Sequence, residues 1–196
     1  MPQPSSLLHS VHKAFRATIR AGAFAAVTMA ALCALPHSSL AQETPAAGQT
    51  LGSVSNLPVP RYVSLKSDRV NLRAGPGKDH RTLWVFQRAG LPVEVTAEFE
   101  TWRRIRDSEG SEGWVLHSLL SGRRTALVTP WDKNNTLSPL YSNSSANAAV
   151  RAQLSPSVII NINSCDGEWC RISIRNLEGF IQQKLLWGVY PGEEIK

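Results

Sequence analysis

Histidine is scarce in this chain. It has five, and only His80 and His117 lie beyond the first 41 residues. Neither belongs to a recognised motif, and no Gly-x-Ser-x-Gly or His-Glu-x-x-His occurs, so hydrolase and zincin chemistry find no support. Cysteine is rarer still, at three residues. Two Cys and two His could ligate zinc only by chance, because Cys165 and Cys170 lie in one half, the histidines in the other, and no ligand spacing joins them. No metal, cofactor or catalytic residue is therefore assigned. No dense Lys/Arg stripe is present either, which excludes an ordinary nucleic-acid binder. After residue 41 no stretch carries a helical period.

What the chain does have begins at its N-terminus. Lys13, Arg16 and Arg20 precede the apolar run Ala21 to Leu35, Pro36 ends it, and Ser39-Leu40-Ala41 is a small-x-small cleavage site before Gln42. This is the three-part pattern of a secretory signal peptide, residues 1–41, cleaved after Ala41, and it places the protein in the periplasm or outside the cell. Two other readings compete. A retained anchor needs roughly 20 apolar residues, which the run does not reach. A lipid on Cys33 wants a small residue before it, and Leu32 is there. Cleavage reduces the formal charge of +6 to about +3. It also leaves an even pair of cysteines, Cys165 and Cys170, which in an oxidising compartment reads as a disulfide.

Residues 42–60 hold Pro45, Gly48, Gly52, Pro58 and Pro60 without periodicity, as in a flexible linker, and order is expected to begin near Arg61. From there short β-type runs alternate with Gly-rich turns, the pattern of a small barrel or sandwich. His117 to Leu120 is at most one 3₁₀ turn. The second half repeats the first. Gly113-Trp114-Val115 and the residues to Gly122 align with Gly179-Phe180-Ile181 and the residues to Gly188, and Trp102-Arg103-Arg104-Ile105 aligns with Trp169-Cys170-Arg171-Ile172. Leu72 matches Leu140 loosely. A repeat of this length means two copies of one domain.

The residues that identify the domain are Val70-Asn71-Leu72-Arg73-Ala74-Gly75-Pro76-Gly77, then Gly90-Leu91-Pro92-Val93-Glu94-Val95, then Trp102-Arg103-Arg104-Ile105 and Gly113-Trp114-Val115. In this order they resemble the bacterial SH3 domain, from about Arg61 to Val128, and the two-copy exported type of proteobacteria in particular. The resemblance implies an all-β chain of two tandem small SH3-like barrels, at 61–122 and 139–190, joined by a connector at 123–138 that contains Trp131. The second copy departs from the pattern. It has Tyr141-Ser142-Asn143-Ser144 in place of the Arg-x-Gly-Pro turn and Phe180 in place of the closing Trp. The resemblance also implies a non-catalytic binding module of the cell envelope, whose partner is peptidoglycan stem peptide or a peptide of an envelope protein. The Cys and His blocks of a cell-wall peptidase are missing.

Several residues need weighing against plain packing. Gly75, Gly77 and Gly113 read as turn and close-approach positions. Trp102 and Ile105 are three apart, which puts them on opposite strand faces unless a bulge intervenes. Trp102 is then expected partly outside, over the barrel mouth, and Trp114 in the core. Trp84 alternates with the core-like Leu83 and Val85, so it is expected to be exposed. Arg73, Trp84 and Trp102 are the candidate ligand groove. Arg103, Arg104 and Arg106 read as a solvated edge, with contact to acidic envelope polymers as the alternative. Simple alternation from Ile162 sends Cys165 to the polar face while Cys170 shares the face of Ile172, so a bridge across the turn Asp166-Gly167-Glu168 needs a bulge. The competing function is a structural or assembly protein of the periplasm with no small-molecule ligand.

Overall fold

The computed structural model describes residues 50–196. The expected signal peptide with Cys33, its expected cleavage site and residues 42–49 of the expected linker lie outside the described residues.

The strands run in chain order as β1 (Thr50–Leu51), β2 (Pro58–Val59), β3 (Arg61–Leu65), β4 (Val70–Arg73), β5 (Thr82–Phe86), β6 (Pro92–Phe99), β7 (Trp102–Arg106), β8 (Glu112–Leu116), β9 (Leu120–Ser121), β10 (Thr125–Val128), β11 (Ser138–Tyr141), β12 (Val150–Leu154), β13 (Ile159–Asp166), β14 (Trp169–Ile174), β15 (Leu177–Gln182), β16 (Leu186–Trp187) and β17 (Glu194–Ile195). Two 3₁₀ turns, His117–Leu119 and Gln183–Leu185, are the helical elements among the described residues. The described residues are all-β, in two curled sheets and a separate two-stranded one, β1–β2. No helix among the described residues is long and apolar enough to cross a membrane.

The first sheet has the order β5-β4-β8-β7-β6-β3-β9 and the second β12-β11-β15-β14-β13-β10-β16, with β17 added beside β13. Every strand of the first is matched by the strand seven labels later, in the same place. The repeat seen in the sequence is therefore a repeat of topology. Each sheet closes on its own apolar centre. In the first, Leu65, Val70, Leu72, Val93, Val95 and Ile105 are all but sealed from water, and in the second Leu140, Ile160, Ile172 and Ile181 are. Burying each such side chain contributes about 1.5–3 kcal/mol.

Gly113 and Gly179 show why the weak Leu72–Leu140 match is real. A Cβ on Gly113 would meet Leu72 Cγ at 2.7 Å and the Arg73 carbonyl oxygen at 2.8 Å. One on Gly179 would meet Leu140 Cγ at 2.7 Å and the Tyr141 carbonyl oxygen at 2.7 Å. Both glycines let β4 and β11 cross closely over the neighbouring strand.

The structure departs from the sequence expectations in several places. Residues 50–60 are not a mobile linker. β1 and β2 pair, and the loop between them wraps Glu98, which accepts hydrogen bonds from Val54 N–H, Ser55 N–H and the Ser55 hydroxyl. The connector is not free either, because β10 lies within the second sheet between β13 and β16. Trp102 is buried, at 6% exposure, instead of lying partly outside. It does occupy the face opposite Ile105, but that face is covered. Trp114 is only half-buried and shares the outer face with Arg73, its register partner. Leu83 is exposed and Val85 half-buried, so they are not the core neighbours of Trp84. Phe86 is the core residue of that strand. Arg103, Arg104 and Arg106 are no plain solvated edge, since each pairs with an acid, Glu98, Glu112 and Glu94 respectively.

The disulfide Cys165–Cys170 is formed, between directly paired residues of β13 and β14. The register shifts between Ile162 and Ser164, and this bulge turns Cys165 inward. With both sulfurs joined to each other, no thiolate pair remains for zinc.

Candidate functional site

Strand alternation builds the site. In β4 the side chains of Val70 and Leu72 enter the core, so Asn71 and Arg73 point outward, and Arg69 continues that row. In β7 Ile105 is the core residue, which sends Trp102 to the outer face, where it pairs with Leu116 of β8. These two rows meet with the 3₁₀ turn around a cavity of 270 Å³ lined by Arg69, Asn71, Arg73, Lys78, Trp102, Leu116 and Leu119. Its walls carry three cations and no carboxylate. Its floor is an indole and two leucines.

Arg73 is partly committed within this cavity. Its Nη1 donates to the carbonyl oxygens of Lys78, at 3.0 Å, and His80, at 2.8 Å. It thus curls the loop after β4 around itself. Gly75 lies in that loop against the His80 ring, where a Cβ would meet Cε1 at 2.5 Å. Neither Gly75 nor Gly77 takes a positive φ, so their role is close approach, not left-handed backbone. Arg69 and Lys78 form no ion pair among the described residues and carry the uncommitted charge.

Trp84 does not belong to this cavity. It lies opposite Leu72 across β4–β5, and antiparallel partners share a face, so it projects from the side away from Arg73. At 62% exposure it borders a separate cavity of 750 Å³ with Phe86, Arg88, Leu91, Asp107 and Leu127. Of the three residues expected to form a groove, Arg73 and Trp102 come together and Trp84 does not. Arg69, Lys78, Leu116 and Leu119 were missed. The period-2 row Arg69, Asn71, Arg73 was the available signal for the first of them.

The second barrel lacks the cationic rim. Tyr141 stands in register with Phe180 where Arg73 stands with Trp114, and its ring packs edge-on against Trp169 at 5.5 Å.

The barrels are docked to each other. Tyr62 of β3 packs on Trp187 and Tyr190, with ring centroids 5.1 and 4.7 Å away. The Tyr190 hydroxyl donates to Glu94 at 2.9 Å, and the Thr125 hydroxyl donates to the Gly90 carbonyl oxygen at 2.8 Å. Arg106 binds the other oxygen of Glu94. Burial, and then the Glu94 carboxylate, push the Tyr62 phenol up to about 12 and raise Tyr190 as well.

The sequence model of the bacterial SH3 domain matches this chain twice, at residues 66–122 and 135–188. The chain belongs to the bacterial SH3 domain family. Bacterial SH3 domains are in general binding modules, and each match covers most of one curled sheet, the first leaving out β3 and the second β10 and β17. Similar solved structures include NlpC2 and NlpC1 from Trichomonas vaginalis, at 16% and 18% identity. They cover 65% and 69% of this chain and 48% of each of theirs, both with a TM-score of 0.28. An NlpC/P60 family protein from Bacillus cereus is 14% identical, with 64% of this chain and 55% of that one covered and a TM-score of 0.27. The chain thus spans about half the length of these solved structures. No curated protein matches it.

Proposed function

We propose that this protein is an exported, non-catalytic binding module of the cell envelope, and that its first barrel holds an anionic peptide, of peptidoglycan stem or of an envelope protein. The observation that carries this reading is the cavity where Arg69, Arg73 and Lys78 surround Trp102, Leu116 and Leu119 without any lining carboxylate. A peptide carboxylate satisfies the guanidinium and ammonium donors, and an apolar side chain covers the leucines and the indole edge. Arg73 keeps the loop in shape while Arg69 and Lys78 supply free charge. Export rests on the N-terminal sequence pattern, and it puts the protein beside peptidoglycan in the periplasm or outside the cell.

Co-sedimentation with purified peptidoglycan tests the reading. The wild type is expected to sediment in a salt-sensitive manner, and Arg69→Ala with Lys78→Ala to lose it while keeping the β-type circular dichroism. Sedimentation by neither protein, or by both alike, overturns it.

The assembly reading keeps one observation in its favour. Trp84 and Leu83 are exposed beside a cavity that residues of both barrels line. Loss of a protein partner on Trp84→Ala, with peptidoglycan binding unaffected, is the result expected from it.

A further inference from the structure

A second cationic cavity lies at the seam of the barrels. It measures 560 Å³ and is lined by Arg88, Ala89, Gly90, Arg123, Val158, Ile159, Asn161, Ile174 and Arg175. Its three arginines come from three separate places. Arg88 follows β5 in the first barrel, Arg123 lies between β9 and β10, and Arg175 sits in the β14–β15 turn of the second barrel. None makes an ion pair among the described residues, whereas Arg61, Arg103, Arg104, Arg106, Arg124 and Arg171 all do. Arg88 makes only long contacts, at 3.4 Å, to the Ser157 carbonyl oxygen. No acid lines the cavity. Three uncompensated charges from three separate segments are therefore gathered at one place.

Two backbone features hold these side chains. Gly90, at φ +77, leaves room for the Arg123 guanidinium, since a Cβ there would lie 3.0 Å from its Nη2. Arg175 itself has φ +51, a left-handed position that Gly or Asn fills at lower cost. Asn161 adds an uncharged amide, and Val158, Ile159 and Ile174 add an apolar wall.

We propose that this seam cavity binds a phosphate-bearing ligand. A carboxylate carries a single negative charge and compensates only one of the three cations. Three guanidiniums around one cavity match a group with more oxygens and more charge, which is a phosphate or a chain of phosphates. Because residues of both barrels line the cavity, such a ligand ties the barrels together and stabilises their docking. This site is distinct from the peptide cavity of the first barrel and does not rest on it.

The test is calorimetric titration of the protein with pyrophosphate, and with citrate as a carboxylate of comparable charge. Saturable pyrophosphate binding is expected, weaker for citrate, raising the melting temperature and fading with added salt. Arg123→Gln and Arg175→Gln should each weaken it about tenfold or more, and Arg81→Gln, an exposed arginine outside the cavity, should not. Asn161→Asp puts a carboxylate into the cavity without removing an arginine and should abolish binding, which covers the case of an arginine variant that fails to fold. A parallel arm uses phosphatidic acid vesicles. Capture of the wild type but not of Arg175→Gln makes the source a lipid headgroup, and no capture alongside pyrophosphate binding makes it a soluble or polymeric phosphate. Absent pyrophosphate binding, equal loss in Arg81→Gln, or loss in Arg69→Gln in place of Arg175→Gln overturns the proposal.

Discussion

Gly113 and Gly179 stand opposite Leu72 and Leu140 with less room than a methyl group needs. Gly113→Ala and Gly179→Ala should each destabilise their barrel by about 1–3 kcal/mol through overpacking. Gly122, with nothing within 4 Å of its would-be Cβ, should tolerate alanine to within about 0.5 kcal/mol. Urea denaturation of the three variants checks the ranking. Glu98 is the second decisive residue. Its side chain is fully shut from solvent and bound by Arg61 at 2.8 Å and Arg103 at 3.3 Å. Burial alone would raise its carboxyl, but the hydrogen bonds from Ser55, Arg61 and Val54 outweigh that and hold it down at about 2 against an ordinary 4.5. A depressed carboxylate contributes stability that is present above 4.5 and is lost as pH falls from there through 2. Acid denaturation of the wild type should steepen in that window, and Glu98→Gln should flatten it while costing stability at neutral pH. An identical acid limb in the variant would contradict this. Arg73 was legible as a candidate lining residue because its motif marks it. Arg69 and Lys78 were not, because which exposed cations surround one cavity depends on how a loop folds back.

The hairpins β6–β7 and β13–β14 show how much an element's sequence can reveal. Both contain a register shift at the same place, between Val95 and Ala97 and between Ile162 and Ser164. The need for one in the second hairpin was visible in the phase of its cysteines. Aligning the registers puts Glu98 opposite Arg103 where Cys165 stands opposite Cys170. One barrel end is closed by a buried ion cluster and the other by a covalent bond. Each clasp also meets an extra segment, the β1–β2 loop at Glu98 and β17 at Cys165. Alternation placed Trp102 on the outer face correctly, but it says nothing about what covers that face, and so its burial was missed. The loop closed by the disulfide is short, with a sequence separation of 5, so the chain-entropy contribution is only about 2 kcal/mol. A non-reduced digest should yield one linked peptide holding both cysteines. Cys165→Ser with Cys170→Ser should lower the stability of the second barrel by about that amount and leave the first unchanged. Two separate peptides in the digest would reject the bridge.

At the scale of the whole molecule the question is whether the two barrels act as one body. The repeat in the sequence announced two domains, but it could not show their docking, because Tyr62, Trp187 and Tyr190 belong to no shared motif and meet only across the seam. Their rings enclose a polar link, Tyr190 to Glu94 to Arg106, so breaking the seam leaves a carboxylate without its phenol donor. Wild-type unfolding should therefore be a single transition, and Tyr62→Ala should split it into two. Alkali provides an independent readout. Tyr62 is raised from 10 to about 12 by burial and by Glu94, with Glu193 adding to the effect and Arg106 and Arg124 opposing it. A raised phenol favours the protonated, docked state. Its contribution is fully present below pH 10 and is lost as pH climbs through 12. Ultraviolet titration should show a tyrosine fraction that ionises late, and small-angle scattering should show the barrels separating over the same interval. Tyr62→Phe keeps the ring packing and removes the ionising group, so it should hold the barrels together further into alkali than the wild type does. Separation of Tyr62→Phe at the same pH as the wild type would mean that Tyr62 does not set the docking equilibrium.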